Sequence, residues 1–314
     1  MELRPLGTSG LRLSLIGLGC NNFGGRIDLE ATRKAIDATL AAGVNHLDTA
    51  DIYGGGGKSE DLIGQCLGAR RKDVVLATKY GKPMADNPST TRGQRAYVLS
   101  AVEASLRRLR TDWIDLLYMH EPDPATPIEE TLRAVEELVA AGKVRFLAGS
   151  NFSAGEIGDA VDAAKRLGVT GFVATQDEYS LLARGIEDAL LPVLETHRLG
   201  LVPYFPLASG ALSGKYRKGK PMPEGARLTG SANYTERYFS GTKADLVEAL
   251  IAFAGQRGHT LLELALSWLA ARPQVVSIIT GATRPEQIEA NVRAVGWKLN
   301  AEEMAEIDRI TRPA

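Results

Sequence analysis

Cysteine is scarce: Cys20 and Cys66 are the only two in 314 residues. They form no C-x-x-C pair, and His46, His120, His197 and His259 lie far apart, so the ligand spacing of a structural zinc site is missing. Two reduced thiols are expected rather than a disulfide, and no metal is expected. No apolar run approaches the roughly 18 residues that a membrane helix needs. The opening Met1-Glu2-Leu3-Arg4-Pro5 lacks the apolar stretch of a secretory signal. Charge of one sign is also missing. With 37 Lys+Arg against 38 Asp+Glu the formal net charge is −1, which leaves no electrostatic footprint for nucleic acid or an anionic membrane. These absences point to a cytoplasmic protein whose partner is a small molecule. A G-x-G-x-x-G turn is absent too: the first apolar run leads into Gly17-Leu18-Gly19-Cys20-Asn21-Asn22. An open dinucleotide-binding sheet would carry that turn after its first strand.

What is present is a core and a rhythm. Apolar residues make up 44% of the chain and charged residues 24%, the balance of a globular protein. Short apolar runs recur at Leu13–Leu18, Val44–Leu47, Val74–Thr78, Leu116–Met119, Val144–Ala148, Gly171–Thr175, Leu201–Tyr204 and Val275–Ile279. Continuous apolar segments of this length suit parallel strands buried on both faces. Helical segments follow them. Asp28 is placed to cap the first, which Gly43 ends. Thr126-Pro127-Ile128-Glu129 offers a cap, a proline at N1 and a glutamate at N3. Ser153-Ala154-Gly155-Glu156 offers a capping box, with Gly168 at the far end. Eight strand candidates in strict alternation with helices fit a closed (β/α)8 TIM barrel better than an open sheet. Leu3–Leu15, with Gly7-Thr8-Ser9-Gly10 at its middle, reads as a β-hairpin preceding that barrel. The expected organisation is a single domain, 1–314. The long stretch from Pro206 to about Gly241, after the seventh strand, reads as an irregular lid or binding loop.

In such a barrel, catalytic groups sit where strands end, at the C-terminal face. Asp48, Lys79, His120, Asn151, Gln176 and Tyr204 each close an apolar run. Any one of them could be the first residue of a solvated loop, but six in register make that the weaker explanation. Asp48, Tyr53, Lys79 and His120 also form a chemical set. Tyrosine, with an ordinary pKa of about 10, is a poor proton donor near neutrality. An ammonium beside it stabilises the phenolate and lowers that pKa, and a carboxylate can hold the ammonium charged. A histidine can then direct a carbonyl oxygen toward the tyrosine. That set suits protonation of an alkoxide.

These residues sit in segments that resemble the aldo-keto reductase superfamily: His46–Gly54, Val75–Lys79 and Asp115–His120. Further similar segments are Gly149-Ser150-Asn151, Gln176 before Glu178-Tyr179-Ser180, Tyr204-Phe205-Pro206-Leu207, and Ile279–Gln287. The resemblance spans nearly the whole chain. It implies reduction of an aldehyde or ketone with NADPH, NADH being the lesser choice. Tyr53 would be the general acid, Lys79 and Asp48 would tune it, and His120 would orient the carbonyl. Ser150, Asn151 and Gln176 would hold the nicotinamide carboxamide, and Tyr204 would stack on its ring. Leu207, Ser209 and Lys215 would lie along the pyrophosphate, with Phe205, Pro206 and Gly210 in the same cofactor wall. Gly281, Thr283, Arg284, Gln287 and Asn291 would surround the adenosine phosphate.

Local physics supports the last group. Thr283-Arg284-Pro285-Glu286 reads as a helix start with Thr283 as cap and Glu286 at N3. Free N–H groups there, together with the fork of Arg284, suit a 2′-phosphate. Two departures from the family pattern stand out. Tyr53 is followed by four glycines, one residue more than usual, which reads as a flexible rim. Ala290-Asn291 also replaces a glutamate-asparagine pair. Asn21, Asn22, Phe23 and Trp113 carry no signal that ranks them in a pocket. Three rival activities are compatible with the set. It could run in reverse as an NAD(P)-dependent sugar or alcohol dehydrogenase. It could serve a regulatory subunit that binds cofactor with little turnover. It could also be a lyase using Lys79 as a Schiff-base nucleophile.

Overall fold

A computed structural model describes residues 1–84 and 91–312. The first apolar run divides in two. Leu3–Pro5 (β1) pairs antiparallel with Arg12–Ser14 (β2), so Leu13 belongs to the leading hairpin and not to the barrel. The barrel strand starts only at Ile16 (β3, Ile16–Gly19). Ser14 causes the break: its N–H donates to Asn45 Oδ1 (2.8 Å) and its hydroxyl to the carbonyl of Ile16 (2.7 Å), local bonds that replace a continuous ladder.

The other strands are β4 (His46–Asp48), β5 (Val75–Tyr80), β6 (Ile114–Met119), β7 (Val144–Ser150), β8 (Phe172–Gln176), β9 (Gly200–Leu201) and β10 (Ile278–Gly281). They run parallel in the order β10-β3-β4-β5-β6-β7-β8-β9. Backbone bonds from Leu201 N–H to Gln274 (2.7 Å), Val276 N–H to Leu201 (2.8 Å) and Ile279 N–H to Pro203 (3.0 Å) join the two ends. The eight strands therefore close into a (β/α)8 barrel. The seventh is shorter than its sequence run, because beyond Leu201 the chain bends and Tyr204 bridges to Glu178.

Side chains alternate across a strand, so residues two apart share a face. The inner face reads Ala77 then Lys79, Leu116 then Tyr118 then His120, Ala148 then Ser150, and Ala174 then Gln176. Ala77, Leu116, Tyr118, Ala148 and Ala174 pack together in one apolar cluster. Each of these four strands thus carries an apolar residue low in the barrel and a polar one at its C-terminal rim. The hairpin plugs the opposite end. Leu6 and Leu13, both fully buried, join Val173 and Val276 in the same cluster. Arg4 fastens the plug by donating to the carbonyls of Val275 (2.8 Å) and Ala270 (2.9 Å).

Helices cover the outside. Asp28 accepts the Ala31 N–H (2.9 Å) at the start of Leu29–Ala41, and Ser153 and Glu156 form a reciprocal capping box before Ala154–Leu167. Thr126 does not cap. Helix Ile128–Ala140 begins after Pro127, itself the N-cap with ψ 136°, and the Thr126 hydroxyl donates to Asp123 instead (2.8 Å). The stretch after the seventh strand is not wholly irregular. It holds a tight turn at Ala208–Ser213 and a helix at Ala232–Phe239, capped by Ser231. Cys20 and Cys66 are buried free thiols. Among the described residues no helix is long and apolar enough to cross a membrane, and no cluster of three or more His, Cys, Asp or Glu could hold a metal.

Helices Lys58–Leu67 and Arg95–Leu109 touch at Gly64. A Cβ there would lie 2.4 Å from the Arg108 carbonyl oxygen and 2.7 Å from the Leu109 carbonyl carbon. Backbone cannot retreat as a side chain can. Gly64→Ala is expected to destabilise the fold by about 1–3 kcal/mol, measured as a lowered midpoint in thermal unfolding. An unchanged midpoint would contradict this packing.

Candidate active site

Asp48 is the last residue of β4, and Lys79 lies near the end of β5, both sealed from water. Lys79 Nζ donates to Asp48 Oδ1 (2.5 Å) and to the carbonyl of Thr49 (2.8 Å). Gln176, closing β8, donates from Nε2 to the other carboxylate oxygen (2.7 Å). Above this pair, Tyr53 and His120 form part of the cleft wall, their rings edge to face with centroids 6.0 Å apart. The Lys79 ammonium lies 5.2 Å from the centre of the Tyr53 ring. His120 follows β6; its N–H donates to the Tyr80 carbonyl (2.7 Å), and its own carbonyl accepts from Asn151 Nδ2 (2.8 Å).

Burial is the first influence on each of these groups. It opposes the Lys79 charge, yet the charge and hydrogen bond of Asp48 together with Tyr53 and Cys20 outweigh it, and the ammonium titrates above its ordinary value. Burial raises the Tyr53 phenol, and the charge and hydrogen bond of Lys79 only partly offset this. The expected lowering of Tyr53 is thus a real contribution but not the net result, because desolvation is larger. The phenol keeps its proton. His120 is pushed down to about 2 by burial, then by the charges of Lys79 and Lys82, so its imidazole is neutral. Its Nδ1 is buried without a hydrogen-bond partner.

Beside this group a cleft of about 890 Å³ runs from Lys82 and Tyr53 to Arg284. Ser150, at the end of β7, donates to the Gln176 carbonyl (2.8 Å). Asn151 stands in the left-handed region at φ 62° and accepts a hydrogen bond from the Tyr204 hydroxyl (2.7 Å). Beyond β9, Phe205, Ala208 and Ser209 also hold positive φ, a costly state for residues with a Cβ that persists where the surroundings enforce it. Every residue named from the sequence lines this cleft except Lys79, which lies behind it: Asp48, Tyr53, His120, Ser150, Asn151, Gln176, Tyr204, Phe205, Pro206, Leu207, Ser209, Gly210, Lys215, Gly281, Thr283, Arg284, Gln287 and Asn291.

The far end fits a phosphorylated cofactor. The Ser209 hydroxyl is buried without a partner. Arg26, Lys215 and Arg284 line the same wall, and among the described residues none of them is in an ion pair. Lys215 is held below its ordinary pKa by partial desolvation, then by Arg26 and Arg284, as expected where cations face one another around room for an anion. The helix start there is shifted by one residue from the sequence reading. Arg284 is the N-cap of Pro285–Arg293, and Thr283 precedes it, its N–H and hydroxyl both directed to Gln287 Oε1 (2.8 and 3.2 Å). Proline at N1 forces this, because the residue before proline is driven out of helical geometry.

Sequence reasoning missed Arg26 and Lys82, both in the cleft wall, whereas Pro223–Arg227, also in that wall, falls within the stretch read as a lid or binding loop. They lie in loops with no periodicity to mark them. Of the unranked residues, Asn21 and Asn22 line the cleft, whereas Phe23 is core. Trp113 precedes β6, at the opposite end of the barrel, between the guanidinium groups of Arg71 and Arg145. The glycine run holds positive φ throughout Gly54–Gly57. Its last member is packed, since a Cβ on Gly57 would meet Arg108 Nε at 2.3 Å.

The family model described as Aldo/keto reductase family matches residues 15–312. Over 304 residues the chain is 38% identical to a probable voltage-gated potassium channel subunit beta of Arabidopsis thaliana, covering 94% of this chain and 91% of that protein. It is 36% identical over 314 residues to an uncharacterized oxidoreductase of Bacillus subtilis, covering 96% and 93%. It is 32% identical over 321 residues to an L-glyceraldehyde 3-phosphate reductase of Escherichia coli K12, covering 98% and 92%.

Asp51, two residues before Tyr53, has both carboxyl oxygens buried and without a side-chain partner among the described residues. Burial, then the neighbouring Glu60, pushes it up to about 8, while Arg108 pulls the other way. As pH rises from about 4, the unfolded chain releases this proton before the folded one does, so folding loses stability up to about pH 8. Asp51→Asn, which cannot ionise, is expected to lose less stability than the parent between pH 5 and pH 8.5. Melting temperatures at both pH values check this; parallel slopes would show that Asp51 ionises normally.

Proposed function

Because the chain belongs to the aldo/keto reductase family, we propose that this oxidoreductase reduces an aldehyde or ketone to an alcohol, with NADPH as its cofactor and Tyr53 as proton donor. The observation that carries the reading is the buried Asp48–Lys79 pair set against a protonated Tyr53 in the wall of an open cleft. NADPH bound along the cleft would supply the hydride. Tyr53 presents its phenolic proton to the carbonyl oxygen, on which negative charge develops. The Lys79 ammonium, fixed by Asp48, stabilises the phenolate left behind. The neutral imidazole of His120 has an N–H to donate to the same oxygen and holds it toward Tyr53. Ser150, Asn151 and Gln176 form the polar wall for the carboxamide, and Tyr204 the adjacent face. Arg26, Lys215 and Arg284 would meet the phosphates, and Arg284, at a helix start, suits a 2′-phosphate that NADH lacks.

The Schiff-base lyase reading loses ground, since Lys79 is buried behind the cleft in an ion pair that keeps its amine protonated. A second reading is favoured by the relatives named as potassium channel beta subunits: a regulatory, cofactor-binding subunit with little turnover. Bound NADPH oxidised at most once per chain, against many times, separates the two. The dehydrogenase direction is tested by NADP⁺ reduction with alcohols and sugars.

Tyr53→Phe is expected to lower kcat by roughly 10²-fold or more while NADPH affinity, read by fluorescence titration, stays near that of the parent. Full turnover by this variant would remove Tyr53 from the role. Arg284→Ala is expected to weaken NADPH binding about tenfold, the equivalent of one charge-assisted hydrogen bond, with NADH binding nearly unchanged. Equal losses for both nucleotides would place the 2′-phosphate elsewhere.

A further inference from the structure

The substrate end of the cleft carries a cation that the proposed chemistry leaves unused. Lys82, two residues beyond β5, lines the cleft with Tyr53 and His120, and its charge reaches His120. The backbone leading to it is held by neighbours. His120 N–H donates to the Tyr80 carbonyl (2.7 Å), and Arg92 Nε donates to the carbonyl of Gly81 (2.5 Å). These bonds staple the loop after β5 to the one after β6. The carboxylate next to His120, Glu121, is already taken by Arg92 (3.0 Å). Asp48 is taken by Lys79. Among the described residues, Lys82 is in no ion pair.

A half-buried lysine without a counter-charge among the described residues, in the same cleft wall as Tyr53 and His120, favours a ligand that brings the charge. We propose that Lys82 selects carbonyl substrates bearing an anionic group, a carboxylate or a phosphate, a short chain away from the reacting carbon. This rests on the reductase reading and names the substrate class of the same site. The anion of the substrate pairs with Lys82 while its carbonyl lies between Tyr53 and His120. Proton and hydride go where the proposed reaction already sends them. The cations Arg26, Lys215 and Arg284 stand at the other end of the cleft and belong to the cofactor.

The test compares matched aldehydes with NADPH: succinic semialdehyde against butanal, and glyceraldehyde 3-phosphate against glyceraldehyde. The parent is expected to favour the charged member of at least one pair by about tenfold in kcat/KM, chiefly through KM, as one ion pair of about 1.4 kcal/mol would give. The pair that responds tells carboxylate from phosphate. Lys82→Gln is expected to bring that ratio toward one, and Lys82→Arg to keep most of it. In the NADP⁺-saturated protein, calorimetric binding of 2-phosphoglycolate or succinate should weaken in Lys82→Gln alone. Reduction of charged and neutral aldehydes at equal rates, or a preference that survives Lys82→Gln, would overturn the inference and leave the reductase reading standing. No aldehyde consumed by the parent would overturn both.

Discussion

The arrangement of the site depends on one ion pair taken out of water. Asp48 and Lys79 are both sealed inside the barrel, where each ion costs on the order of several kcal/mol to desolvate. Such a pair persists only where its remaining donors and acceptors are met. Gln176 supplies a donor to the second carboxylate oxygen, and the Thr49 carbonyl accepts from the ammonium. Those partners come from neighbouring and distant strands, so the closed barrel itself holds the pair. Tyr53 and His120 inherit their surroundings from it. One keeps its proton and the other stays uncharged, both first through burial.

The same strands explain why the polar residues of the cleft gather at one end. Period-two alternation stacks a polar rim residue on an apolar one below it, as in Lys79 over Ala77, Ser150 over Ala148 and Gln176 over Ala174. The Ala and Leu side chains of the buried layer need no partners, whereas the rim layer finds them across strand ends. Stability and chemistry are therefore separated along the barrel axis, with the change occurring within two residues of each strand.

Much of this was legible because buried parallel strands read as unbroken apolar runs, and because a polar residue closing such a run is conspicuous. The strand alternation and the rim residues Asp48, Lys79, His120, Asn151, Gln176 and Tyr204 came from that pattern, the caps at Asp28 and Ser153 from their local spacing, and the remaining cofactor-wall residues from the family resemblance. The errors have local causes. Leu13–Leu18 looks continuous, yet the Ser14 side-chain bonds cut it in two. Thr126 and Thr283 look like caps, but Pro127 with ψ 136° and Arg284 before Pro285 take the cap positions, and Asp123 and Gln287 accept from the threonine hydroxyls. Arg26 and Lys82 were invisible because an arginine or lysine in a loop has no period, and only folding shows which way it faces. Of the glycine run, Gly55 and Gly56 stand in open space, and Gly57 packs against Arg108.

The hairpin plug has a bearing on traffic as well as on packing. With Leu6 and Leu13 filling the lower mouth and Arg4 tying the hairpin to the barrel wall, the interior is a well with a floor. From beneath, the Asp48–Lys79 pair is floored by these packed apolar side chains, and the cleft beside it opens at the other mouth. A ligand filling that cleft therefore also corks the well.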